Sequence, residues 1–150
     1  MTTIILLALA GAVIAAVVGT VWYSPMTPMG RLHMRYLGFD KLSKEEQDRK
    51  IAEAKPTMWK TYLLQLILSF LTSFAVVYIV TMIAQNGLSF SMALGFVVVN
   101  WLCFVVPTVG SHILWGNCER SIAWKKFFSD IFSILITLVL VALLANLFVA

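Results

Sequence analysis

Charge is what this sequence has least of. Asp, Glu, Lys and Arg make up 12% of its 150 residues, 61% are hydrophobic, and the mean hydropathy is +0.92. A soluble domain carries about 25% charged residues. This chain cannot cover itself with polar surface, so lipid is the expected solvent. Cysteine is nearly absent too. Cys103 and Cys118 are too few for a disulfide framework, and about 15 helical residues would hold them roughly 20 Å apart, too far to bridge. Both read as free thiols. There is no internal repeat and no low-complexity tract. No C-x-x-C, H-E-x-x-H, G-x-S-x-G or phosphate loop occurs. His33 and His112 lack a nucleophile elbow, and His112, Cys118 and Glu119 match no strong metal motif. No cofactor, metal or hydrolytic activity is expected. The net charge of +4 could suggest nucleic acid. Its basic residues, however, lie beside apolar segments, a pattern of membrane topology rather than of phosphate reading.

What is there is four apolar runs: 3–23, 61–84, 90–115 and 127–149. Each reaches the roughly 20 residues a helix needs to cross about 30 Å of hydrocarbon. The first has no positive n-region and outlasts the apolar stretch of a signal peptide, so it reads as a retained helix. Length fits one domain. Segment 24–60 holds Arg31, Arg35, Lys41, Lys44, Arg49, Lys50, Lys55 and Lys60, and the connection into the fourth run holds Arg120, Lys125 and Lys126. The turn 85–89 holds no basic residue. Positive residues stay on the cytoplasmic side. Segments 24–60 and 116–126 are therefore expected inside, and both termini outside a bacterial plasma membrane. Trp22, Trp59, Trp115 and Trp124 fall at the cytoplasmic ends, where amphipathic rings favour the headgroup layer.

The first run leaves the membrane through WYSPMTPMG. Trp22 and Tyr23 anchor the exit, and Pro25 blocks continuation of the helix. Pro25 and Pro28 are expected to fold the chain back at the headgroups, with Trp22 packed near the end of the third helix around His112. Within 24–60, Ser43 and Glu46 make a candidate capping box opening a short interfacial or solvated helix. Its basic face would lie against anionic headgroups.

Polar residues fall into rows along three runs. Gln65, Ser69 and Ser73 share one face of the second. Asn100, Cys103, Pro107 and Gly110 share one face of the third, and Asp130, Ser133 and Thr137 one face of the fourth. In hydrocarbon such faces turn inward. The bland account is hydrogen bonding between helices, about 0.6 kcal/mol per contact. Asp130 has two readings: an ion pair with Lys126 one turn earlier or a partner for Asn100, or a proton or cation site. Pro107, Gly110 and Ser111 are expected to bend the third helix, leaving a free carbonyl. In the first run Gly11, Ala15 and Gly19, with Ala8, Ala12 and Ala16 alongside, make a small-residue row suited to close packing of helices.

The turn Trp22, Tyr23, Ser24, Pro25, followed by Pro28, Met29 and Gly30, resembles a bacterial membrane family catalogued as domain of unknown function 1761. The segment WGNCERSIAWKKFFSD is similar to that family's third connection. The resemblance implies a small four-span membrane protein and assigns no catalytic residues. The expected architecture is an all-helical, integral membrane bundle of four spans with a short amphipathic or charged helix between the first two, assembling as a homo-oligomer. The leading function is a channel or carrier subunit for a proton, cation or small polar solute, built on Asp130, Asn100, Gln65, His112 and Pro107. The alternative is a non-transporting scaffold or accessory subunit, and a lipid-acting enzyme stands third.

Overall fold

The structure is a computed structural model describing residues 1–115 and 118–149. Among these, the chain is helical with no strand. Four helices are long and apolar enough to cross a membrane: α1 (Thr2–Trp22), α3 (Lys44–Gln85), α4 (Phe90–Leu114) and α5 (Arg120–Val149). A short amphipathic helix, α2 (Pro28–Tyr36), stands between the first two. The four expected spans form, but the short helix between the first two lies at Pro28–Tyr36 and not after Ser43, where it was expected. Gly116 and Asn117, in the expected third connection, lie outside the described residues.

The reversal after α1 is built from its own sequence. The Thr27 hydroxyl is shared between the carbonyls of Trp22 at 2.8 Å and Ser24 at 2.9 Å. It also accepts the Gly30 N–H at 2.9 Å as the N-cap of α2. Pro28 takes the first helical position, where its missing N–H costs nothing. A Cβ on Gly30 would lie 1.9 Å from the Ser24 carbonyl oxygen, so only glycine lets the two backbones meet here. The chain thus folds back at WYSPMTPMG as expected, with Thr27 as its pivot.

Segment 42–60 departs from expectation. Ser43 and Glu46 do form a reciprocal capping box. The helix they open does not stop before Thr61, however, but runs 42 residues to Gln85. At 1.5 Å per residue it is about 63 Å long, roughly twice the hydrocarbon thickness. The reason is the lack of a stop signal. No glycine occurs between Lys44 and Gln85, and Pro56 removes a single intrahelical bond that the flanking turns bridge. The helix finally ends at Asn86 and Gly87, the latter at φ 69°, in the expected 85–89 turn.

The core lies toward the terminal end of the bundle. Leu7, Ala8 and Ala12 of α1 meet Val76, Val77 and Val80 of α3, Ala93 and Val97 of α4, and Leu138, Val141, Ala142 and Ala145 of α5. Alanines at 0% exposure (Ala8, Ala142, Ala145) mark where helix backbones approach most closely. Gly11 sits where three helices converge: an added Cβ would lie 2.8 Å from Ser73 Cβ and 3.1 Å from Val141 Cγ1. The expected small-residue row is therefore used at one end only. Ala15 is half-buried, and Gly19 has nothing within 4 Å of where its Cβ would be. Beyond Ala12 the outer face of α1 (Val13, Val17, Val21) is exposed, as is Thr61–Leu68 of α3.

Helix α4 is interrupted by a π-helical turn at Trp101–Val105, directly before Pro107. The extra residue per turn is a known way to absorb a proline's missing donor. The irregularity was expected at Pro107, Gly110 and Ser111; it lies before the proline instead, and Gly110 and Ser111 continue a regular helix. Trp101 uses the π turn to donate from Nε1 to the Ile131 carbonyl at 2.8 Å, tying α4 to α5.

Candidate functional site

The polar centre of the molecule lies where the end of α1 and the whole of α2 pack on the first turns of α5. Lys126 and Asp130 stand one turn apart on α5, and the lysine ammonium hydrogen-bonds both carboxylate oxygens. Lys126 is buried, at 7% exposure. Its ammonium also lies 4.9 Å from the ring centre of Tyr23 and 5.8 Å from that of Tyr36, within the reach of cation–π attraction. The Tyr23 hydroxyl donates to Asp130 Oδ1 at 2.6 Å. Next to it, Trp22 Nε1 donates to Ser129 Oγ at 3.0 Å. Two adjacent residues at the end of α1 therefore hold two adjacent residues of α5, both pairs 107 positions apart.

Two observations complete the cluster. The His33 ring of α2 lies 5.1 Å from the Tyr23 ring, and its Nδ1 is buried without a hydrogen-bond partner among the described residues. Burial holds the His33 pKa below its usual range, nearby Lys126 adds to that, and Asp130 opposes it. The imidazole is thus kept neutral beside a lysine whose charge the carboxylate already balances. In net terms the cluster is one buried cation, one carboxylate that answers it, and neutral donors around them.

Of the two partners expected for Asp130, Lys126 is in place and Asn100 is not. Asp130 points into the bundle, as expected, and its partners are Lys126, which the spacing named, and Tyr23, which it did not. The other candidate residues do not join it. Gln65 is exposed on α3 and its amide reaches only Ser69 Oγ of the same helix, at 3.4 Å. The Asn100 amide donates to the Phe96 carbonyl one turn back, at 2.8 Å. Pro107 and His112 are exposed on α4. Trp22 was expected beside His112. It is found on Ser129 instead, because α1 packs along α5, and that contact carries the turn with it. The adjacency Trp22-Tyr23 and Ser129-Asp130 at one membrane depth was visible in the sequence. Which helices are neighbours was not.

Cys118 is half-buried, its thiol 3.9 Å from the Tyr36 carbonyl at the end of α2. Among the described residues, no three His, Cys, Asp or Glu side chains are grouped as metal ligands. The cluster is arranged to clamp α1 and α2 onto α5.

Residues 6–146, nearly the whole chain, match the family described as protein of unknown function (DUF1761). No curated protein and no solved structure matches.

Proposed function

The chain belongs to the DUF1761 family, and from that premise we propose that it is a non-transporting scaffold or accessory subunit of a membrane assembly. The observation that carries this reading is the pairing of Asp130 with Lys126. A proton or cation site needs a carboxylate with free lone pairs and water access. Asp130 instead accepts three hydrogen bonds, two from Lys126 and one from Tyr23, which hold its charge on a partner within the chain. Removing either charge would leave the other uncompensated, which is why such a pair acts as a clamp. The clamp fixes α2 and the WYSP turn on α5, giving the bundle one rigid face at that end.

The assembly partner is a second copy of the chain. Gln65, Asn100 and Cys103 lie on α3 and α4 with no partner on another helix among the described residues, and α4 buries only Ala93 and Val97 of its first eleven residues. Polar groups at membrane depth favour protein over lipid, so these rows mark the surfaces a neighbouring copy covers. The basic α2 end faces the cytoplasm of a bacterial cell, with the termini outside, by the distribution of Lys and Arg.

A transport reading keeps one supporting observation: the π turn and Pro107 put irregular backbone on the same free face of α4 as Asn100. A pathway between copies would run there. Reconstituted vesicles separate the two. The scaffold reading expects proton and potassium flux no higher than in protein-free vesicles, together with cross-linked dimers through Cys103. Flux that Asn100→Leu abolishes would overturn it in favour of a channel.

A further inference from the structure

We propose that the groove between α2 and α5 is a seat for one anionic phospholipid. The groove has a volume of about 610 Å³, within the range of about 300–1,000 Å³ typical of small-molecule sites. Three cations border it: Arg31 and Arg35 from α2 and Lys125 from α5. No acidic residue lines it. All three cations are exposed, and none is in an ion pair among the described residues. They differ in this from Lys126 next door, whose charge Asp130 has already consumed.

The walls have the polarity of an amphiphile. Lys125, Phe128 and Phe132 follow at i, i+3 and i+7 on α5, one face of that helix, and Phe128 and Phe132 are 53% and 52% exposed. Seven residues of helix are about 10 Å. Charge therefore sits at the outer end of the groove and bare aromatic surface two turns deeper, along an apolar helix. On α2, Arg31 and Arg35 lie one turn apart, flanking Leu32, and face the same groove. Trp22 closes its inner side, and its N–H is already used on Ser129. A phosphate diester with two acyl chains meets each requirement: an anion for three unanswered donors, with arginine forks suited to phosphate oxygens, and hydrocarbon for the two phenylalanines. A free phosphate would leave those rings unused. A zwitterionic headgroup would bring a cation of its own among these three.

The site is also preorganised. Thr27 caps α2 and Gly30 brings it against Ser24, while Tyr23 and Asp130 bind the turn to α5, so both walls stand in place before any lipid arrives. This inference is independent of the assembly reading, because a single chain forms the whole groove.

The test is lipid retention by the full-length protein, measured by native mass spectrometry from detergent micelles offering phosphatidylglycerol and phosphatidylcholine together. Each cation near an anionic headgroup is worth about fivefold in binding, so the three together predict a preference of about a hundredfold for phosphatidylglycerol. Arg31→Gln with Arg35→Gln and Lys125→Gln should abolish that preference. Lys50→Gln with Lys55→Gln and Lys60→Gln, the same charge loss on the exposed start of α3, should leave it intact. Equal retention of the two lipids by the wild type would overturn the proposal without reference to any variant. So would an equal loss in the α3 variant, which would reduce the effect to diffuse attraction. Complete displacement of the lipid by inorganic phosphate would reassign the groove to a free anion.

Discussion

Replacing Lys126 by Met should destabilise the protein more than replacing Lys126 and Asp130 together. In the single variant Asp130 keeps the Tyr23 hydroxyl at 2.6 Å but loses the Lys126 ammonium. Stripping one partner from a fully buried pair costs about 3–5 kcal/mol. Here the Asp130 side chain is 22% exposed, which discounts the cost to about 2–3 kcal/mol, because water can reach part of the carboxylate. Asp130→Leu leaves the lysine between the rings of Tyr23 and Tyr36, which recover about 1 kcal/mol by cation–π attraction. It also orphans the Tyr23 hydroxyl at about 1–3 kcal/mol. In Lys126→Met with Asp130→Leu no buried charge remains, and the orphaned hydroxyl of half-buried Tyr23 sets the net cost at about 1 kcal/mol. The Tyr23 cost is common to Asp130→Leu and the double variant and cancels, so the double-mutant cycle carries a coupling of about 3–5 kcal/mol. Reversible unfolding in mixed micelles, followed by tryptophan fluorescence, measures all four corners. Additive single costs, with the coupling near zero, would show that the pair is incidental and that the clamp does not exist.

Asp130→Leu should also cost more stability and assembly than Ser133→Ala, which removes a hydroxyl from the same face; equal losses in the unfolding assay would strip Asp130 of its special place. Gly11→Leu should disrupt the bundle by about 2 kcal/mol or more, since even a Cβ there meets Ser73 at 2.8 Å. Gly19→Leu, into open space, should fold as the wild type does, as judged by the same unfolding midpoint. Lower pH should loosen the α2 end. The His33 pKa is held below its ordinary value, so its contribution is complete above the unfolded value of about 6.5 and is lost as pH falls through the folded one. Trp22 fluorescence, in a chain whose other tryptophans are Phe, should report the change, and His33→Gln should flatten it. Cysteines placed at Ser43 and Gln85 should be labelled from opposite sides of a sealed vesicle; labelling of both from one side would refute the inside placement of α2.

The sequence by itself determined the solvent, the spans and the punctuation. Apolar runs of about twenty residues need no tertiary partner to be read as helices in lipid, because every backbone group is satisfied within the helix. Local signals were equally legible: the Ser43–Glu46 box and the turn at 85–89. Each depends on residues within a turn or two. The missing stop between Lys44 and Gln85 was local as well, and was hidden by the change from charged to apolar composition, which marks a change of solvent and not of backbone. What only the tertiary structure decided is which faces meet. Periodicity places Gln65, Asn100 and Asp130 each on a face of its own helix, but nothing in a period of 3.6 says how four helices are arranged around one another. Packing was settled by the alanines and Gly11, which let α1, α3 and α5 approach closely near the termini. That choice set Tyr23 against Asp130 and left Asn100 on the outside.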